Sequence, residues 1–232
     1  MKYRYLLVDN DNTLMDFDLA ERKALTETLE ACGLPADEPT CTAYHHINDA
    51  LWKALERGET TQKELKVKRF AQLLELLGRA DLDPEAVAAR YADQLATHDD
   101  LLPGATALLE ALHGRMKIAL VSNGVSAIQR GRLSRSAILP LLDAVIISEE
   151  IGVSKPDPRM IDIALEALGC ADKSQAVLLG DSLTADIPAA AAAGVDSVYL
   201  DHHGRGSDLP TYTVASLAEA RALLTGFLQD VN

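Results

Sequence analysis

Four acidic side chains in this sequence occur in positions where they could bind a metal ion and take part in catalysis. Asp9 and Asp11 lie two residues apart, and Asp181 and Asp186 lie five apart in a later segment. Close carboxylates repel one another and raise each other's pKa unless a cation lies between them. Carboxylate oxygens favour Mg²⁺ over zinc. If these four acids converge in the fold, they therefore predict a Mg²⁺ site.

Uncharged and cationic side chains in three segments are suited to binding a phosphate ester. Thr13 and Ser122 carry hydroxyl groups, Asn123 carries an amide and Lys155 carries a positive charge. Gly124 allows a close backbone approach beside an expected helix start. Phosphoryl transfer requires mainly in-line positioning and charge neutralisation, which a metal ion and a lysine supply. A carboxylate can act as the nucleophile, which leaves the second acid of a pair for acid–base work.

The elements that must position these residues are short apolar runs with helical patterns between the later ones. Continuous apolar runs with polar or glycine borders predict strands buried on both faces of a parallel sheet. We therefore expect an α/β fold, with a Rossmann-like parallel sheet and helices on both faces. Four of the five runs lead into the polar segments, and ligands of such sheets bind beyond the carboxyl ends of the strands. The runs are residues 5–8, 118–121, 144–147, 176–179 and 195–200.

The stretch from residue 16 to residue 100 has helical periodicity and contains no convincing buried strand. Thr61 and Glu64, for example, form a capping-box pattern that starts a helix. A connection of this length is too long for an ordinary crossover between strands. We therefore expect an inserted helical cap domain at 16–100, with 1–15 and 101–232 forming the catalytic core.

Near the end of the chain, Ser216 and Glu219 form a second capping-box pattern. The helix that they open is predicted to end near Gly226, because glycine commonly follows the last helical turn.

Composition and charge exclude several classes of protein. The chain has 22 Lys and Arg residues against 35 Asp and Glu residues, a net charge of −13 that disfavours binding to a nucleic-acid polymer. The apolar runs are too short for a membrane span or a secretion signal. The three cysteines are an odd number without CxxC spacing, which indicates no disulfide framework. A cytoplasmic protein is expected, and the pattern specifies no oligomeric state.

The segments DNDNT, SNG, SKP and GDSLTAD, in this order, resemble the four motifs of the haloacid dehalogenase-like hydrolase superfamily. The resemblance covers the whole chain and implies that the helical insertion is a C1-type cap. It also implies that Asp9 is the nucleophile and a metal ligand. Asp11 would be the general acid–base, with its backbone carbonyl on Mg²⁺. The dehalogenase branch usually has an aromatic residue at this second position, so Asp11 favours phosphate chemistry.

The same resemblance implies roles for the later motifs. Ser122 and Lys155 would bind the phosphoryl group. Asp181 would bind the metal directly, and Asp186 would do so directly, through water or through Lys155.

Three softer segments resemble the pyrimidine 5′-nucleotidase branch of the superfamily: residues 47–52, 147–153 and 199–203. This resemblance implies Mg²⁺-dependent hydrolysis of nucleoside monophosphates through an aspartyl-phosphate intermediate. A sugar-phosphate phosphatase or phosphomutase is the first alternative, because it would share the core chemistry and differ in the cap. A phosphoacceptor signalling module is the distant alternative, but receiver domains are shorter and have no large insertion after the first strand.

Several other polar and aromatic residues are predicted to have structural roles. Tyr44 and Trp52 share a helical face with Asn48 and are expected to pack the cap interior, although that face could also stack on a nucleobase. The paired histidines and the basic run are expected to be solvated, the basic run on the wet face of a helix. These residues are His45, His46, His202, His203, Arg130, Arg132 and Arg135.

Overall fold

A computed structural model describes residues 2–229, apart from the side chains of Glu56 and Gln229. Its centre is a parallel sheet whose strands are β1 Tyr5–Val8, β2 Lys117–Ser122, β3 Ala144–Ile147, β4 Ala176–Gly180, β5 Asp196–Leu200 and β6 Tyr212–Val214. All neighbouring strands are parallel, in the order β3-β2-β1-β4-β5-β6. The five predicted strands are confirmed. The sixth was missed because its three residues are too few to form a recognisable pattern.

Ten helices of the described chain surround or precede this sheet. They are α1 Phe17–Ala31, α2 Glu38–Glu56, α3 Gln62–Leu76, α4 Pro84–Leu95, α5 Ala105–Leu112, α6 Ser126–Arg135, α7 Ser148–Ile151, α8 Pro158–Ala167, α9 Asp186–Ala193 and α10 Leu217–Gln229. Helices α5 and α10 contribute to the apolar core on one face of the sheet, and α8 and α9 contribute to the core on the other. The predicted Rossmann-like α/β fold is therefore confirmed.

Strand β1 explains why the apolar runs are continuous rather than alternating. Leu6 and Val8 pack into the core on the α5 and α10 face, whereas Leu7 packs into the core on the α8 and α9 face. All three side chains are fully buried. Successive residues of a strand point to opposite faces, so a strand covered on both sides needs an apolar residue at every position.

Helices α1 to α4 lie between β1 and β2 along the chain and share an apolar core of their own. The rings of Tyr44, Phe70 and Tyr91 form its centre, with centroids 5.2–5.6 Å apart. The predicted capping box of α3 is confirmed, because the Thr61 hydroxyl and the Glu64 carboxylate each accept a backbone N–H of the other residue.

The two connections between this helical unit and the sheet pair with each other. The Asp16 N–H donates to the Asp100 carbonyl at 3.0 Å, and the Leu102 N–H donates to the Leu14 carbonyl at 2.9 Å. This pairing falls where the boundaries of the cap were expected. The division into a core of 1–15 and 101–232 and a cap of 16–100 stays a prediction.

Helix α10 is longer than predicted. It continues through Gly226 to Gln229, so the expected end near Gly226 is wrong. Phe227 and Leu228 pack against the core on the α5 and α10 face, and their burial favours continuation of the helix. The predicted capping box at its start is also only half formed: Ser216 Oγ accepts the Glu219 N–H at 3.2 Å, but the Glu219 carboxylate accepts the Ala215 N–H at 2.9 Å.

The membrane and cysteine expectations can also be compared with the described residues. Within residues 2–229, no helix has the length and apolar character needed to cross a membrane. Cys32, Cys41 and Cys170 are free thiols. Burial raises the pKa of the Cys41 and Cys170 thiols above the ordinary value, which disfavours their reactive thiolate forms.

Helix α6 packs unusually close to the end of α4. A Cβ placed on Gly131 would lie 2.8 Å from the Ala96 Cβ and 2.9 Å from the Ala96 carbonyl oxygen. Both separations are below normal van der Waals contact, so only glycine allows this approach. The contact positions a helix that carries side chains of the site described below.

We therefore expect Gly131→Ala to destabilise the protein by about 1–3 kcal/mol, because the added methyl group overlaps backbone atoms. Gly226→Ala is the matched control: it lies in α10 with no atom within 4 Å of the added Cβ. That variant should be unchanged or stabilised by up to about 1 kcal/mol. Urea unfolding of both variants measures the difference, and equal free energies of unfolding would contradict the close packing of α6 on α4.

Candidate active site

The crevice between the carboxyl ends of β1 and β4 is where the connections of the sheet change direction. After β1 the chain continues to β2 and β3 on one side, and it then crosses to β4 and β5 on the other. Open parallel sheets bind ligands beside such a switch point. Asp9 directly follows β1 and Asp181 directly follows β4. The topology therefore brings these two acids to one crevice.

Asp9, Asp181 and Asp186 form a compact carboxylate cluster there. Each offers one oxygen atom, and the three oxygens lie within 4.8 Å of one another. Asp186 is the first residue of α9, and its Oδ2 lies only 2.3 Å from where a Cβ on Gly180 would be. Any side chain at the end of β4 would therefore displace Asp186, so this acid requires the glycine.

A single buried ammonium group lies among the carboxylates. The Lys155 side chain is 2% exposed, and its Nζ donates to Asp9 Oδ1 at 2.6 Å, to Asp186 Oδ1 at 2.7 Å and to the Val121 carbonyl at 2.7 Å. Three ammonium protons thus have three acceptors. Burial lowers the pKa of Lys155, but the carboxylates of Asp186 and Asp9 raise it by more, so the pKa lies above its ordinary value. The lysine is therefore charged at neutral pH.

Asn123 holds the backbone of this lysine in place. Its Nδ2 donates to the Lys155 carbonyl at 2.8 Å, and its Oδ1 accepts the Lys155 N–H at 2.8 Å. This reciprocal pair fixes the point from which the lysine side chain enters the cluster. The side-chain amide of Asn123 is thus engaged in positioning Lys155, and its predicted contact with phosphate stays a prediction.

The two hydroxyl groups predicted to bind phosphate occupy different places. Ser122 ends β2 and lines the same cavity as Asp9, and its Oγ accepts the Gly124 N–H at 3.0 Å. Thr13 is fully buried and donates to Asp181 Oδ1 at 3.4 Å. Ser122 is therefore placed to contact a ligand, whereas Thr13 orients one of the clustered acids.

Negative charge exceeds positive charge within this cluster, where three carboxylates face one ammonium group. Burial raises the pKa of Asp9 well above its ordinary value; Lys155 opposes this, and the neighbouring acids add to it. Burial and Asp186 likewise raise the pKa of Asp181 to about 7. Both shifts reflect burial first and the neighbouring carboxylates second. The oxygen donors and the charge deficit both fit Mg²⁺, which Asp9, Asp181 and Asp186 could hold.

The fourth predicted acid, Asp11, does not join the carboxylate cluster. One of its oxygens is bound by Arg132 Nη1, and the other accepts from Gln129 Nε2 at 2.6 Å. The expectation that four carboxylates converge is therefore wrong for this side chain. Two residues that lie two apart point to the same side only where the strand continues, but β1 ends at Val8 and the chain turns after Asp11. Asp11 still lines the same cavity as Asp9, and its charge contributes to the raised pKa of Asp9.

Arg132 and Gln129 are the site residues that sequence reasoning missed. Arg132 was expected on a wet helix face, but it is fully buried and also donates to the His98 carbonyl at 2.8 Å. Gln129 is 1% exposed and accepts from Asn10 Nδ2 at 2.5 Å. Their spacing with Ile128 and Leu133 marks one buried face of α6. That spacing was a usable signal, since Arg130 and Arg135 lie off this face and are exposed.

A cavity of about 320 Å³ extends from the acid cluster into the helical unit, with Asp9 and Lys155 at one end and Arg69 of α3 among its lining residues. Tyr44 is buried in the cap core as predicted. Trp52 instead lines the cavity and is only partly buried, so its predicted place in the cap interior is wrong. The cavity therefore has room for a ligand larger than phosphate.

The histidines occupy several environments. His45 is exposed, as predicted, but it lies on α2 rather than in a loop; it lines the cavity and places its Nδ1 3.1 Å from Glu21 Oε2. His202 is exposed, as predicted, with its Nε2 2.8 Å from the Asn12 carbonyl.

Known proteins resemble this chain in both sequence and fold. The model of the haloacid dehalogenase-like hydrolase family matches residues 3–194. The chain is 37% identical to the pyrimidine 5′-nucleotidase PynA of Streptococcus pneumoniae, over 93% of this chain and 92% of that protein. It is 33% identical to the pyrimidine 5′-nucleotidase YjjG of Escherichia coli, over 97% and 99% of the two chains. The magnesium-bound structure of the HAD-hydrolase YfnB of Bacillus subtilis matches with a TM-score of 0.90 and 31% identity, covering 97% of this chain and 99% of that chain. The chain therefore belongs to the haloacid dehalogenase-like hydrolase family.

Proposed function

We propose that this protein is a Mg²⁺-dependent 5′-nucleotidase that hydrolyses pyrimidine nucleoside monophosphates in the cytoplasm. The observation that carries the chemistry is the buried Asp9 carboxylate, bound to Lys155 and clustered with Asp181 and Asp186. The substrate class is supported by similarity over nearly the whole chain to two pyrimidine 5′-nucleotidases. A small phosphate ester also suits the cavity that adjoins this cluster.

In the first step, an oxygen of Asp9 attacks phosphorus, and the bond from phosphorus to the 5′-oxygen of the nucleoside breaks. The products are an aspartyl-phosphate and the nucleoside, whose departing oxygen takes a proton from Asp11. Lys155 already holds the other carboxylate oxygen of Asp9 at 2.6 Å, which orients the nucleophile. The Ser122 hydroxyl at the end of β2 donates to the transferring group.

In the second step, water attacks phosphorus and the bond from phosphorus to Asp9 breaks. Asp11 accepts the proton of the water, so phosphate leaves and both carboxyl groups return to their starting states. For either proton transfer, Asp11 must reach the reacting oxygen from its position beside Arg132 and Gln129.

The metal site of the proposal uses the residues whose oxygens already converge. Asp9, Asp181 and Asp186 would hold Mg²⁺, and the Asp11 backbone carbonyl would be a further ligand, as the family resemblance implies. Bound Mg²⁺ would neutralise charge on the transferring phosphoryl group.

We further propose that residues 16–100 act as a cap that excludes bulk water during the reaction. Residues from this unit and from the sheet line one cavity, and the paired connections at Asp16 and Asp100 offer a place for relative movement. Closure of such a unit protects an aspartyl-phosphate from unproductive reactions.

Asp9→Asn should reduce phosphate release from UMP by at least about 10³-fold, because the amide removes the nucleophile. Phosphate release with purified protein measures the loss. Asp208→Asn is the control: Asp208 is an exposed acid outside the cavity, and its loss should leave turnover unchanged. Full activity in Asp9→Asn with a normal unfolding transition would refute the proposed nucleophile.

Removal of divalent metal by EDTA should abolish turnover, and added Mg²⁺ should restore it, because the carboxylates then regain their compensating charge. Asp181→Asn should raise the Mg²⁺ concentration needed for half-maximal rate by about tenfold or more, since it removes one charged oxygen ligand. Titration of activity against Mg²⁺ gives both values. Turnover that persists without metal would contradict the proposed site.

Among substrates, UMP, CMP and dTMP should have a kcat/KM at least about tenfold above that of AMP or fructose 1-phosphate. A panel of these esters with Mg²⁺ and a phosphate-release assay measures the preference. A higher value for a sugar phosphate would instead support the sugar-phosphate phosphatase alternative, and isomerisation without phosphate release would support a mutase.

A further inference from the structure

Arg69 of α3 is a buried cation with unused hydrogen-bonding capacity. It is 4% exposed, and its guanidinium lies 4.6 Å from the ring centroid of Tyr91 and 5.4 Å from that of Phe70. Its Nε is buried and has no hydrogen-bond partner. A buried donor without an acceptor is unfavourable and rare in folded proteins. Arg69 lines the cavity, and among the described side chains no hydrogen bond joins its Nη2, so a bound ligand can accept a hydrogen bond from that end of the guanidinium.

The charge of Arg69 is balanced indirectly. Its Nη1 donates to Asn48 Oδ1 at 3.1 Å, and Asn48 Nδ2 donates to Glu21 Oε1 at 2.7 Å. Among the described side chains of residues 2–229, which leave out Glu56 and Gln229, no carboxylate forms an ion pair with this guanidinium. Asn48 and Glu21 are both buried, 4% and 5% exposed. The amide therefore separates the two charges, so that Arg69 is held in place while donors stay available for a ligand.

The surroundings of Arg69 indicate the chemistry of that ligand. Aromatic and aliphatic side chains also line the cavity and suit the faces of a flat ring. They are Phe17, Trp52, Leu55 and Leu95. The carboxylates of Asp18 and Asp49 also line the cavity and disfavour a second anionic group. A flat, uncharged ring with a hydrogen-bond acceptor fits this lining best.

We propose that Arg69 binds the base of the substrate by donating a hydrogen bond to its carbonyl oxygen at C2, and thereby determines specificity. This inference rests on the proposed function, because it takes a pyrimidine nucleotide as the substrate. Uracil, thymine and cytosine all carry this carbonyl, whereas adenine does not. A site with a buried donor rejects a ligand without the matching acceptor, because the donor then stays unpaired. Asn48 is the positioning residue that holds the guanidinium toward the cavity.

The test compares UMP with ribose 5-phosphate, which shares the phosphate and sugar but lacks the base. Arg69→Met and Arg69→Lys are assayed with both substrates in the full chain with Mg²⁺. Arg69→Lys keeps the charge but removes Nε and the planar donor fork. In both variants, the ratio of kcat/KM for UMP to that for ribose 5-phosphate should fall by about 10- to 100-fold, mainly through KM for UMP.

Lys68→Met is the matched control, because it removes one positive charge from the neighbouring position of the same helix. Lys68 is exposed, pairs with Glu64 at 3.4 Å and is not a lining residue of the cavity. Its ratio for the two substrates should equal that of the wild type. A ratio that is also unchanged in both Arg69 variants would overturn the inference.

A substrate analogue tests the same contact without any variant, so a folding defect in the Arg69 variants cannot hide the result. In 2-thiouridine 5′-monophosphate, sulfur replaces the oxygen at C2 and is a weaker acceptor. The wild type should show a KM about tenfold above that for UMP, and equal values would overturn the contact. If the wild type hydrolyses other phosphate esters but not UMP, the proposed function and this inference both fail. If it prefers UMP as proposed but the Arg69 ratio or the KM for the 2-thio analogue is unchanged, only this inference fails.

Discussion

The burial of one lysine among carboxylates is the constraint on which the site depends. An ammonium group inside a protein is unfavourable unless its charge and all of its protons are matched. Asp9, Asp186 and the Val121 carbonyl meet this requirement for Lys155. They come from the ends of β1 and β2 and the start of α9, so the lysine fixes the relative positions of three elements. The absence of a side chain at Gly180, the end of β4, leaves room for Asp186. The amide of Asn123 holds the backbone of Lys155.

A second charge pair lies at the same edge of the sheet, and the helix that holds it also contacts helices α1 to α4. Asp11 is held by Arg132 and Gln129 of α6, whereas Val125 and Ile128, at the start of the same helix, pack with the core of helices α1 to α4. Movement of the cap on α6 would therefore act on the helix that holds the proposed acid–base. The close approach at Gly131 also packs that helix tightly against the end of α4.

Sequence patterns predicted the strands of the sheet and the polar segments that follow them, because each is defined by residues close together in the chain. The continuous apolar runs reflect burial on two faces, and the polar segments follow the ends of the strands. Arg132 was placed wrongly because three nearby arginines suggest a solvated face, although its spacing with Ile128 and Leu133 marks the buried face of α6. The positions of Trp52 and Arg69 at the cavity depend on how α2 and α3 pack. Helical periodicity identifies the buried face of a helix, but it does not identify the residues that border a cavity.

The charges of the site determine which substrates the chain can admit. The net charge of −13 disfavours long polyanions, yet the proposed substrate is itself an anion. Lys155 cannot reverse the sign alone, because Asp9 and Asp186 already occupy its ammonium group. Under the proposed function, a divalent cation would offset the remaining carboxylate charge and make the local potential favourable for a phosphate monoester. At the other end of the cavity Arg69 needs only a neutral acceptor, so the substrate is expected to carry its charge at one end and an uncharged ring at the other.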